Sequence, residues 1–201
     1  MIEDITKKKK SELTFTDRLY INIYDIVSVL VVAVVTIMVL FSFVFRIVFV
    51  DGGSMLDTLH DGDMLVVSAY DSEPEYGQVV IVTQSNSFGN PIVKRIIATE
   101  NQTVYIDFSK GDVYVDGVLL DEPYIKNETI NPEDMTGPVT VPEGYVFVMG
   151  DNRQGSTDSR SNKIGLIREE YILGVVKYKV MNQDEQTGKT TLYDFADWKV
   201  E

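Results

Sequence analysis

Cysteine is missing from this 201-residue chain, which removes disulfides, thiolate metal sites and cysteine nucleophiles together. Histidine is nearly missing. His60 is the single one, too few for a multi-histidine metal site. Serine–histidine chemistry would have to use it, yet it lies six positions after Ser54 in a polar stretch that reads as a surface loop. Positive charge is scarce: 18 Lys and Arg stand against 31 Asp and Glu, a net −13, which argues against nucleic acid as a partner. The shortage is C-terminal, since residues 51–201 hold 12 basic and 26 acidic side chains, net −14. Beyond position 50 no amphipathic stretch of ten or more residues occurs, so no helical domain is expected there.

What is present begins with an apolar run. Ile26–Phe45 is 20 residues without a charge, 15 of them Val, Ile, Leu or Phe. A helix of that length spans a bilayer's hydrocarbon core. Insertion is favoured by about 4–9 kcal/mol. No small-x-small site follows, so the run reads as a permanent anchor rather than a cleaved signal. Lys7, Lys8, Lys9, Lys10 and Arg18 precede it and predict a cytoplasmic N-terminus, with residues 46–201 outside the cell membrane. The expected organisation is a cytoplasmic segment 1–25, one transmembrane helix 26–45 and an outer domain 46–201.

The outer domain reads as mainly β. Strands are expected at Met64–Ala69, Gln78–Gln84, Ile92–Thr99, Thr103–Asp107, Asp112–Val115, Val118–Leu120, Tyr145–Met149 and Tyr171–Val180. Asp116-Gly117 is a hairpin turn signal. Ile167–Tyr171 is expected to form a single helical turn, and Asn127–Pro142 a loop or excursion. No internal repeat is present.

Three stretches carry residues suited to chemistry. In Gly52-Gly53-Ser54-Met55, two residues without a Cβ let another chain approach a serine hydroxyl closely, although Gly-Gly-Ser is equally an ordinary turn. In Pro91-Ile92-Val93-Lys94-Arg95-Ile96-Ile97, strand alternation sets Lys94 beside Ile92 and Ile96 on one face. Desolvation there would lower the lysine pKa, while an edge-strand lysine reaching out to water is the plainer reading. Gly150-Asp151-Asn152-Arg153-Gln154-Gly155-Ser156-Thr157-Asp158-Ser159-Arg160 packs two arginines, two aspartates and two serines behind an apolar strand; a polar loop with its own ion pairs fits as well.

Together, Ser54-Met55, Gly62-Asp63, Lys94-Arg95 and the third stretch resemble, in order and character, the bacterial type I signal peptidases, membrane-anchored serine–lysine endopeptidases. The resemblance implies a β-rich catalytic domain with a smaller inserted β cap (103–142), no cofactor, no metal, and preprotein signal peptides as substrates. It implies Ser54 as nucleophile and Lys94 as general base. It further implies Ser156 as the serine that orients the amine, Asp158–Arg160 as a structural pair, and Arg95–Asp151 as a second pair. Substrate would lie as an added strand along Gly52, Gly53, Met55, Leu59, Ile92 and Val93, cut after small-x-small sites such as Ala-x-Ala. Family members usually carry proline where this chain has Asp57, which predicts a looser nucleophile loop. A non-catalytic, membrane-anchored assembly or binding protein for surface-fibre subunits is the alternative.

Overall fold

The computed structural model describes residues 15–68, 73–83, 89–180 and 192–194. The Lys7–Lys10 cluster and most of the polar tail from Asn182 lie outside the described residues. The chain divides into two compact units between Phe43 and Val44.

Helix α1, Phe15–Val44, lies in the first unit except for its last residue. It starts eleven residues before the expected Ile26, because a helix satisfies its own backbone with or without lipid around it. Its window Asn22–Val39 has a mean hydropathy of 2.3 and is not covered by protein. Among the described residues this is the one helix long and apolar enough to cross a membrane.

Phe45, expected in the helix, instead opens strand β1 (Phe45–Phe49), which pairs antiparallel with β2 (Met64–Ser68). Aromatic and β-branched residues favour a strand once a partner is available. Next come β3 (Val79–Val82) and β4 (Ile92–Ala98). The second unit's larger sheet also takes β9 (Tyr145–Met149), β10 (Ile167–Arg168) and β11 (Ile172–Val180). Its order is β1-β2-β11-β3-β4-β9-β10, every pair antiparallel, with the short β12 (Leu192–Asp194) on β11. Ile167–Arg168 pairs with β9, so the expected single turn contracts to a 3₁₀ helix at Glu169–Tyr171.

Between the neighbours β4 and β9 the chain leaves to build a second sheet: β5 (Thr103–Asp107), β6 (Asp112–Val115), β7 (Val118–Leu119) and β8 (Val139–Thr140), ordered β7-β6-β5-β8. Asp116 and Gly117 both take positive φ (52° and 80°), as a two-residue hairpin turn requires. One apolar cluster joins the two sheets, with Ile97, Phe147 and Met149 packed among Val104, Ile106, Val113 and Val141. A second holds Val50, Met55, Leu59, Leu65 and Val67 together. The third lies around Ile96, Val80, Val146 and Val148.

Candidate active site

Ser54 rides on the loop between β1 and β2. The loop is closed at its base, where Val50 N–H donates to the Asp63 carbonyl and Gly62 N–H to the Val50 carbonyl, both at 2.9 Å. Gly52 takes φ 95°, and its N–H donates to Asp61 Oδ1 at 2.8 Å. Met55 and Leu59 are buried one helical turn apart, Leu59 N–H donating to the Met55 carbonyl at 2.8 Å. From the far side Asn152 grips the chain beside the serine. Its backbone N–H donates to the Ser54 carbonyl (3.0 Å) and its side-chain amide to the Gly53 carbonyl (2.9 Å).

Lys94 faces this loop from β4. It is 3% exposed, its Nζ donating to Ser54 Oγ at 2.7 Å and to its neighbour's carbonyl at Val93 at 3.1 Å. Both faces of β4 are covered, for Val93 packs on the Met55 cluster while Ile92 and Ile96 pack on another. Burial pulls the Lys94 pKa down to about 8, with the negative charges of Asp158, Asp151 and Glu133 pulling weakly the other way.

Three buried arginine–carboxylate pairs surround the site. Arg95 binds both oxygens of Asp151 (2.9 and 2.6 Å) and the Gly77 carbonyl (2.7 Å). Arg160 binds both oxygens of Asp158, each at 2.8 Å, and the carbonyls of Asn131 and Arg153. Arg153 forks onto Glu122 (2.9 and 2.6 Å), a partner that lies 31 positions away and that no local pattern announces. Tyr124 stacks 3.9 Å from the Arg95 guanidinium and donates to Glu122, burial keeping its phenol protonated by raising its pKa.

Ser156 lies in the same neighbourhood, but its hydroxyl donates to Asp158 Oδ2 at 2.9 Å; the described hydrogen bonds of the Lys94 amine go to Ser54 and Val93. A groove of about 270 Å³ runs past the serine, lined by Val48, Gly52, Met55, Ile92, Val93 and Lys94 among others. Gly53 and Leu59 do not line it, and Leu59 is wholly enclosed in the core. Asp57, in the place of the family's proline, is exposed and pairs with Lys126 at 3.1 Å. His60 is exposed.

Sequence reasoning passed over Thr58, Asn152, Glu122, Tyr124 and Lys179. Asn152 sat inside the third stretch without an assigned part; the others meet their partners only through the fold.

Comparison with known proteins points one way. A family model described as "Signal peptidase, peptidase S26" matches residues 23–181. Signal peptidase I T of Bacillus subtilis (strain 168) is 36% identical over 186 residues, covering 87% of this chain and 94% of its own length. A signal peptidase I of Bacillus amyloliquefaciens is 38% identical over 159 residues, 74% of this chain and 80% of that relative. With the family model covering the apolar run from Ile26 and every residue of the site, the chain belongs to the signal peptidase family, peptidase S26.

Proposed function

We propose that this peptidase cleaves signal peptides from exported preproteins with Ser54 as nucleophile and Lys94 as general base. The observation that carries the reading is the 2.7 Å contact between Lys94 Nζ and Ser54 Oγ, made where burial leaves the amine largely free of water. A neutral amine has two N–H groups and one lone pair. With the Val93 carbonyl taking one N–H, the lone pair is available to the Ser54 proton.

In the first half-reaction Ser54 Oγ bonds to the scissile carbonyl carbon while its proton passes to Lys94. The ammonium then protonates the leaving amine as the C–N bond breaks, leaving an acyl ester on Ser54. Water attacks that ester and gives a proton to the neutral lysine, which returns it to the departing Ser54 oxygen. The Ser54 backbone N–H is one donor for the developing oxyanion. Asp158–Arg160 and Arg95–Asp151 hold the frame, and Ser156, whose hydroxyl donates to Asp158, is the serine that orients the amine.

The groove suits an extended peptide with small side chains, laid beside the Gly52–Ser54 and Ile92–Lys94 segments. Met55, Ile92 and Val93 give it an apolar lining that favours cleavage after Ala-x-Ala. The helix anchors the enzyme in the cell membrane with its N-terminus cytoplasmic and residues 46–201 outside, where substrate and enzyme share one bilayer. Digestion of an Ala-x-Ala preprotein by the full-length protein in detergent tests this. Ser54→Ala and Lys94→Met each abolish cleavage, and His60→Ala leaves it intact; persistent cleavage by Ser54→Ala overturns the assignment.

A further inference from the structure

One buried residue of the nucleophile loop is gripped from two sides. The Thr58 carbonyl accepts from Lys179 Nζ at 3.0 Å, and the Thr58 hydroxyl donates to Asp151 Oδ2 at 2.5 Å. Lys179 reaches over from β11 and is itself buried. Its ammonium also lies 2.8 Å from Asp63 Oδ2, the oxygen that accepts His60 N–H at 2.7 Å. Asp151 in turn forks onto Arg95, the residue that follows Lys94 on β4. A continuous polar chain therefore runs from β11 through the nucleophile loop to the strand that carries the base.

We propose that Thr58 and Lys179 are positioning residues that hold Ser54 within reach of Lys94; the inference rests on the serine–lysine reading above. Ser54 and Thr58 are four positions apart around the turn closed by the Leu59–Met55 hydrogen bond, so a shift at Thr58 is passed to the serine as a shift of similar size. A displacement of about 1 Å takes the hydroxyl out of proton-transfer range, and misplacements of that order cost about a hundredfold in rate. Neither residue lines the groove, so substrate affinity has no reason to change. Lys179 is not a second base. Its amine is occupied by the Asp63 carboxylate and the Thr58 carbonyl, 2.8 and 3.0 Å away, and none of its described hydrogen bonds reaches the serine.

Steady-state cleavage of one Ala-x-Ala preprotein by full-length variants in detergent micelles tests the chain. Thr58→Val keeps the side chain's shape and the carbonyl that Lys179 holds, but loses the hydroxyl. It is expected to lower kcat by about tenfold to a hundredfold with KM within about twofold. Thr58→Ser, which restores the hydroxyl, recovers most of that loss. Lys179→Met lowers kcat in the same way, and the double variant Thr58→Val/Lys179→Met falls no further than about the worse single one, because both act through one restraint. Wild-type kcat in Thr58→Val overturns the proposal, and so does a Thr58→Ser variant as slow as Thr58→Val, or a double variant whose losses multiply. If Lys179→Met does not fold, the Thr58 pair decides alone. Cleavage surviving in Ser54→Ala or Lys94→Met would instead bring down the dyad reading, a result separable from the failure of this one.

Discussion

At the scale of single residues, what decides the chemistry is the charge state of one amine. Moving a lysine pKa from 10.5 to about 8 is dominated by burial and costs about 3 kcal/mol when the group is protonated. The sign follows from linkage. The folded-state pKa lies below the unfolded one, so the cost is fully present below about pH 8 and disappears as pH rises toward 10.5. In return, about a tenth of the folded molecules carry a neutral amine at pH 7, against a few in ten thousand for an ordinary lysine. The expected kcat/KM profile therefore climbs about tenfold per pH unit up to about pH 8 and then levels, with His60→Ala leaving the limb in place. Initial rates between pH 6 and 10 at constant ionic strength measure it. A limb centred near 6.5 that vanishes in His60→Ala would remove Lys94 from the base's role. Lys94 was legible as a candidate from its apolar neighbours Ile92 and Ile96, but its contact with Ser54, 40 positions away, was not, since only the fold brings β4 to the nucleophile loop.

Among the elements, the site depends on how closely the end of β9 approaches the nucleophile loop. Gly150 follows directly on β9, and a Cβ built there would collide with the Ser54 carbonyl and the Ser156 side chain. The glycine leaves the space through which Asn152 reaches the Gly53 and Ser54 carbonyls. Gly150→Ala is expected to push the serine off the lysine and lower kcat by about a hundredfold. Gly137→Ala, at an open position where a Cβ meets nothing within 4 Å, is expected to keep the wild-type rate. Side-by-side assays of the two variants on one preprotein give the comparison, and an active Gly150→Ala would mean the contact is slack. Strands bounded by turn residues, such as Thr103–Asp107 and Asp112–Val115, could be read from sequence to the residue. Strand β1 could not, because Phe45–Phe49 continues the apolar composition of the helix before it and only pairing with β2 sets it apart. Two-residue strands such as β8 and β10 are likewise set by their partners and carry no periodicity of their own.

For the molecule as a whole, the segment Glu122–Lys126, which follows the second sheet's hairpin, reaches the nucleophile loop at Asp57, β4 at Arg95 and the third stretch at Asp151 and Arg153. Glu122 holds Arg153, Tyr124 covers Arg95, Lys126 N–H donates to the Asp151 carbonyl at 2.9 Å, and the Lys126 side chain meets Asp57. These links separate by burial into strong and weak ones. The Asp57–Lys126 pair is 72% and 36% exposed, so it contributes less than about 1 kcal/mol. Buried Met55 and Leu59, with the backbone bonds at the loop's base, hold the loop on either side of Asp57. The Glu122–Arg153 pair, 6% and 0% exposed, is the opposite case. Removing one partner strands a buried charge at a cost of about 3–5 kcal/mol, whereas replacing both with apolar side chains is often close to neutral. Thermal melts of the detergent-solubilised chain are therefore expected to place Glu122→Gln about 10 °C below the wild type. The double variant Glu122→Met/Arg153→Met is expected between the two, because it no longer buries a lone guanidinium. A single variant that melts with the wild type would show that the second sheet is held on by its apolar cluster alone, with Ile97, Phe147 and Met149 carrying the attachment and the ion pair idle.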